Sequence, residues 1–118
     1  MPPKSKKRKA AAASGTAQPA GVVFVLLSDS RHSDHSDIKC IGCFGKWADL
    51  VTEVKATMEK DPVELFEEFE SADEVSKTIH QKNLKKAWAY GHGVEVARID
   101  DDDYNYSYSL SVHRTSLQ

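Results

Sequence analysis

Two histidines and two cysteines near the start of the chain are the residues whose types and spacing could do chemistry. They form the pattern His32-x-x-His35-x-x-x-x-Cys40-x-x-Cys43. Imidazole nitrogens and thiolate sulfurs are the ligands that tetrahedral zinc prefers. A zinc finger places about a dozen residues between its two ligand pairs, whereas this pattern has four. The spacing favours two ordinary strand cysteines beside a polar loop, with a zinc site as the alternative.

The strand predicted around the cysteines also disfavours a zinc site. Ile38, Cys40 and Phe44 alternate with Lys39 and Cys43. Successive side chains of a regular strand point to opposite faces, which turns the two thiols away from each other. Two thiols on opposite faces cannot bind one metal ion. We therefore expect no cofactor.

The same two cysteines form a Cys-x-x-Cys motif ahead of a predicted helix, which resembles the active site of thioredoxin-type proteins. In those proteins the motif directly follows its strand, and a cis-proline faces it. Here a ten-residue polar loop intervenes, and Pro62, the one proline after Cys43, lies at a predicted helix start. Because of these two differences, thiol exchange is an alternative function and not the leading one.

No common catalytic motif occurs in the sequence. It has no Gly-x-Ser-x-Gly, no His-Glu-x-x-His, no phosphate-binding glycine loop and no dinucleotide fingerprint. The four aspartates at 100–103 lack the spacing of a calcium loop and are predicted to form a solvated turn. These observations favour a protein that is not an enzyme.

The elements around these residues predict a single α+β domain over residues 21–118. Residues 22–27 form an apolar, Val-rich strand, residues 28–37 a polar loop, and residues 38–44 a second strand. Apolar residues at helical spacing predict a helix at 46–60. Capping patterns predict further helix starts at Asp61 and Ser71. Residues 83–90 fit either a helix or a strand.

Residues 104–113 carry the clearest pattern of the chain. Tyrosines and aliphatic residues alternate there with Asn, Ser and His over ten residues. Period two predicts an antiparallel strand with one packed face and one wet face. The predicted fold is therefore a small antiparallel sheet of four or five strands, with two or three helices on one face, in the order β-β-α-(α)-β-β.

Residues 1–20 are predicted to be a disordered basic arm. They carry five Lys and Arg and no acidic residue, whereas the rest of the chain carries 11 Lys and Arg against 18 Asp and Glu. Lys6, Lys7, Arg8 and Lys9 match the core of the monopartite nuclear localisation signals, which this segment resembles. The resemblance implies an import receptor as partner and the nucleus as location. Cytoplasmic location and organelle import are the alternatives.

These features lead to one function hypothesis and two alternatives. The first is a non-enzymatic nuclear protein-interaction module, with Leu65, Phe66 and Phe69 as its candidate surface for an unknown protein partner. The second is a nucleic-acid-associated protein, tethered by the arm only. The third is a small zinc-binding or thiol-redox protein using Cys40 and Cys43. The longest apolar run, residues 22–27, is too short to cross a bilayer, so no membrane partner is expected.

Overall fold

The computed structural model describes residues 21–89, 92–103 and 105–116; the predicted basic arm lies outside these residues. The strands are β1 (Val22–His32), β2 (His35–Phe44), β3 (Val75–Ile79), β4 (His92–Asp101) and β5 (Tyr106–Ser116). The helices are α1 (Trp47–Met58), α2 (Pro62–Leu65) and α3 (Gln81–Ala89), with a 3₁₀ helix at Glu67–Ser71.

The strands form one antiparallel sheet in the order β2-β1-β5-β4-β3. The predicted α+β class is confirmed. The predicted order of elements is wrong, because β3 precedes a further helix and the chain runs β-β-α-α-3₁₀-β-α-β-β.

The core lies between one face of the sheet and the helices, and this face is called the helical face. The β1 residues Phe24 and Leu26 are fully buried there. The ring of Phe24 packs edge-on against Trp47 of α1, with centroids 5.0 Å apart. The other strands and helices contribute the remaining buried apolar residues, which include Leu50, Val54, Leu84, Ala87, Val96, Ile99, Tyr108, Leu110 and Val112. Period-two burial in β1 and β5 thus packs one face, as the sequence predicts.

The predicted polar loop at 28–37 is mostly strand. β1 continues to His32 and β2 begins at His35, so only Ser33 and Asp34 form the turn, with Ser33 at a φ of 56°. The polar side chains are tolerated in a strand because the residues of the hairpin tip are exposed on β2 and at the end of β1. Backbone pairing, rather than side-chain burial, extends the two strands.

The helix start predicted at Ser71 is also wrong, since β3 lies there. Val75 and Ile79 are four residues apart, and a spacing of four fits a strand as well as a helix. Lys77 lies between them on the same face. Its Nζ donates hydrogen bonds to the carbonyl oxygens of Met58 and Lys60, at 2.8 and 3.0 Å. The segment at 83–90 is helical up to Ala89, where α3 ends; residue 90 is outside the described part.

The opposite face of the sheet, called the open face here, is mixed. Val23, Val25 and Leu27 of β1 are half-buried on it. The neighbouring strand β5 presents Ser109 and Ser111 there, in the polar half of its period-two pattern. Residue 104, the first of the predicted alternation, lies outside the described residues.

Candidate interaction site

A groove of about 740 Å³ lies between the tip of the β1–β2 hairpin and residues 63–68. We call it the hairpin groove. On the hairpin side its lining includes His32, His35, Asp37 and Lys39. These side chains project to the helical face, where the helices cover β1 but leave β2 exposed.

The floor of the hairpin groove is apolar and is fixed by a chain of ring contacts. Phe66 packs edge-on against Phe69, at 5.3 Å between centroids, and against Tyr106, at 6.1 Å. Tyr106 in turn lies 4.8 Å from the ring of His32. The contact of Phe66 with Tyr106 joins the helical segment, residues 62–71, to the sheet, and the other two contacts support its rings from the 3₁₀ helix and from β1.

Local sequence explains how the helical segment reaches the sheet. The Asp61 carboxylate accepts a hydrogen bond from the Val63 N–H, at 3.0 Å, and Pro62 begins α2. At Phe66 the backbone becomes extended, with a φ of −153°, which ends α2 before the 3₁₀ helix. This break lets Leu65 and Phe66 pack toward the sheet while Glu64 and Glu67 stay exposed.

The three residues predicted as an interaction surface are placed differently from one another. Leu65 and Phe66 are half-buried and line the groove. Phe69 is 3% exposed and supports the floor from beneath as part of the core. Two of the three are therefore partly exposed to solvent and line the groove.

The two walls of the groove differ in charge. Glu64, Glu67 and Glu68 form one wall, and the hairpin wall carries His32, His35 and Lys39 together with Asp37, which lies 3.7 Å from Lys39. Residues 61–76 contain seven Asp and Glu and no Lys or Arg, so the acidity of the body is concentrated in this segment. The groove thus offers an apolar floor, one acidic wall and one polar wall of mixed charge.

A β-bulge changes where the two cysteines lie. The pairing of β1 with β2 shifts by one residue at Ile41, so that Cys40 lies opposite Leu27 and Cys43 opposite Val25. Both thiols therefore point to the open face, and the prediction that they lie on opposite faces is wrong. In a regular strand, two residues three positions apart lie on opposite faces; the extra residue of the bulge places Cys40 and Cys43 on the same face. Both cysteines are free and exposed.

The histidines of the pattern lie on the other side of the sheet. His32 and His35 are cross-strand partners, and His32 packs on Tyr106 on the helical face. The structure thus brings the two histidines together and the two cysteines together, with the sheet between the pairs. Within residues 21–89, 92–103 and 105–116, no group of three or more His, Cys, Asp or Glu is arranged to hold a metal ion.

Sequence reasoning missed a polar network centred on Glu95. Its carboxylate lies 3.0 Å from His80 Nε2 and accepts a hydrogen bond from Arg98 Nη1 at 3.1 Å. Arg98 Nε also donates to Asp100 at 2.9 Å. Burial lowers the pKa of Arg98, but the hydrogen bonds and charges of Asp100 and Glu95 outweigh it and raise that pKa overall. Because His80 and Glu95 are 15 positions apart, no local motif could reveal the contact.

A second cavity, of about 430 Å³, lies between α1 and α3. Its lining includes Trp47, Val51, Leu84 and Trp88, so it is mostly apolar. The indole N–H of Trp88 is buried and has no hydrogen-bond partner within the described part of the chain. The carbonyl oxygens of Trp88 and Ala89 accept hydrogen bonds from Arg114, which anchors the end of α3 to β5.

No family model, curated protein or solved structure matches this chain. In the described residues, none of the helices is long and apolar enough to cross a membrane.

Proposed function

We propose that this chain is a non-enzymatic nuclear protein-interaction module, which binds a segment of a partner protein in the hairpin groove. The observation that carries the proposal is the groove itself, in which the half-buried Leu65 and Phe66 lie between charged walls. Protein interfaces combine an apolar centre with a polar rim in this way.

The walls indicate the chemistry of the partner segment. An apolar side chain of the partner would cover Phe66, and a Lys or Arg beside it would pair with Glu64 or Glu67. A volume of about 740 Å³ accommodates a few side chains rather than a folded domain. The preferred ligand is therefore a short basic and apolar segment.

The nuclear part of the proposal depends on the arm. Lys6, Lys7, Arg8 and Lys9 would bind the import receptor, and the body would remain available for the partner. Replacing these four residues with alanine in a fluorescent fusion of the full chain should move the fusion from the nucleus to the cytoplasm. Unchanged nuclear accumulation in an import-competent cell would contradict this part of the proposal.

Capture from nuclear extract tests the groove. The full chain is the bait, and the test variant is Glu64→Lys with Glu67→Lys, both exposed on the groove wall. The matched control is Glu70→Lys with Glu74→Lys, which makes the same charge change in the same acidic segment outside the groove lining. We expect the first pair to reduce partner capture about tenfold or more, and the control pair to retain it.

Nuclease treatment separates this function from the nucleic-acid alternative. A partner that survives nuclease and is lost with the groove variant supports the proposal. A partner that disappears with nuclease, and whose capture falls steeply with salt, supports nucleic-acid association through the arm. Equal capture by the groove and control variants contradicts the groove as the binding site.

The shared face of Cys40 and Cys43 favours one second candidate, a thiol-based function on the open face. It predicts that Cys40→Ser with Cys43→Ser abolishes activity toward a disulfide substrate while the groove still captures its partner. Measurement of zinc in the purified full chain distinguishes the metal-binding form of this alternative from the redox form.

A further inference from the structure

Strand β2 leaves one side of its backbone available for pairing. It forms one edge of the sheet and pairs with β1, and within the described part of the chain no strand covers its outer side. All ten of its residues are exposed or half-buried, and Ile38 is 62% exposed. A long edge strand with exposed apolar side chains is a template for another strand.

We propose that the outer edge of β2 pairs, antiparallel, with β2 of a second copy of this chain, and that Ile38 lies at the two-fold axis. Opposed residues of an antiparallel pair point to the same face. A symmetric pair of identical strands therefore has its axis beside one residue, which faces itself in the other copy.

Charge selects which residue lies at the axis. Asp37 and Lys39 project to the helical face, and both are highly exposed, at 67% and 73%. An axis at either residue would place like charges directly opposite each other. An axis at Ile38 instead places Asp37 opposite Lys39 of the second copy, twice in the dimer, and joins the two isoleucines on the open face. The sequence of the edge is thus complementary to itself in this register.

The proposed pairing also determines how the two hairpin grooves are related. A two-fold axis perpendicular to the sheet leaves both helical layers on the same side. Asp37 and Lys39 line the hairpin groove and also flank the axis. The two grooves therefore lie next to each other across the paired β2 strands, and two five-stranded sheets become one continuous sheet.

This inference goes beyond the proposed function and does not depend on it, because it concerns the purified chain alone. Sedimentation velocity of the full chain over a wide concentration range tests it. We expect reversible dimers of the 13.1 kDa chain. Asp37→Lys or Lys39→Asp alone places like charges across the axis and should raise the dissociation constant about tenfold or more.

The double variant Asp37→Lys with Lys39→Asp supplies the decisive comparison. It exchanges the two charges, so each pair is again of opposite sign, and dimerisation should recover. Lys82→Asp, at an exposed position of α3, is the control for the change in net charge and should leave the dissociation constant unchanged. Circular dichroism checks that each variant is folded.

A cross-link tests the register. In a chain with Cys40 and Cys43 replaced by serine, Ile38→Cys should form a disulfide-linked dimer under mild oxidation, because the two positions face each other. Thr78→Cys on β3, the other edge of the sheet, should give much less cross-linking. A chain that stays monomeric at all concentrations, or a double charge exchange that does not restore the dimer, would overturn the proposal.

Discussion

Strands β1 and β2 are neighbours of nearly equal length, with 11 and 10 residues, yet the sheet buries one and exposes the other. β1 pairs with strands on both sides, and its helical face is buried at Val22, Phe24 and Leu26. β2 has no buried residue. Of these two strands, β1 therefore supplies the buried apolar surface that stabilises the fold, while β2 and the hairpin groove beside it are exposed.

This difference can be read partly from the two strand sequences. The first six residues of β1 are apolar, so either face of that strand can pack. β2 mixes charged, small and apolar residues, and its isoleucines remain exposed. Exposed apolar residues on an edge strand are typical of a contact surface, and this supports the proposed pairing of β2 with a second copy.

The largest expected effect is the difference in stability lost when an apolar residue is removed from β1 and from β2. Phe24→Ala should destabilise the protein by about 3–5 kcal/mol, because a fully buried ring packed against Trp47 is removed. Ile38→Ala on β2 should change the free energy of unfolding by less than about 0.5 kcal/mol. Chemical denaturation of both variants measures the contrast. Similar losses would show that β2 contributes to the core.

A smaller effect concerns the connection between β4 and β5, which was predicted to be wholly solvated. Asp101 is 3% exposed, and its carboxylate accepts a hydrogen bond from the Tyr106 N–H at 2.9 Å. Asp101→Ala should cost about 1–3 kcal/mol, because the N–H loses its partner. Asp103→Ala, exposed in the same run, is the control and should leave the denaturation midpoint unchanged. Equal losses of stability would indicate that the negative charge of the aspartates, and not this hydrogen bond, provides the stabilisation.

The two edges of the sheet should also differ. Lys77→Met on β3 removes two hydrogen bonds to carbonyl oxygens at and beyond the end of α1 and should cost about 1–2 kcal/mol. Lys39→Met on β2 removes only a 3.7 Å ion pair between exposed side chains, worth about 0.5 kcal/mol or less. Thermal unfolding at low protein concentration compares them. A larger loss of stability from Lys39→Met would contradict the expectation that the β3 edge contributes more to stability than the β2 edge.

The smallest effect is a dependence on alkaline pH that arises in the buried part of the sheet. Burial raises the pKa of Tyr108 above its ordinary value of 10.0, and a hydrogen bond with Ser28 opposes this in part. The unfolded tyrosine ionises first, so the stabilisation is complete below about pH 10 and is lost as pH rises through the folded pKa. Tyr108→Phe should therefore lose less stability than the wild type above pH 10. Identical pH profiles would contradict this assignment.

The parts of the fold that could be predicted rest on local patterns. The apolar run of β1 and the period-two alternation of β5 each indicate a strand without knowledge of any neighbour. The sequence predicts a helix where β3 lies, because the four-residue spacing of Val75 and Ile79 fits the period of a helix as well as that of a strand. The extended hairpin was missed because its polar residues are ordered by pairing rather than by burial.

The site depended on contacts that no local pattern contains. The bulge at Ile41 exists only in the register between two strands, and it decides on which face the cysteines lie. The groove exists because Phe66 packs on Tyr106, 40 positions further along the chain. The residue types of the groove were visible in the sequence, but their grouping required the fold.

Hydrogen exchange of the full chain, measured alone and with the protein captured from nuclear extract, directly tests whether the partner binds in the hairpin groove. We expect slower exchange of the backbone amides at 35–39 and 63–68, on the two sides of the hairpin groove, and little change at the β3 edge. Unchanged exchange on both sides of the groove, with slowing elsewhere, would contradict the assignment of the hairpin groove as the binding site.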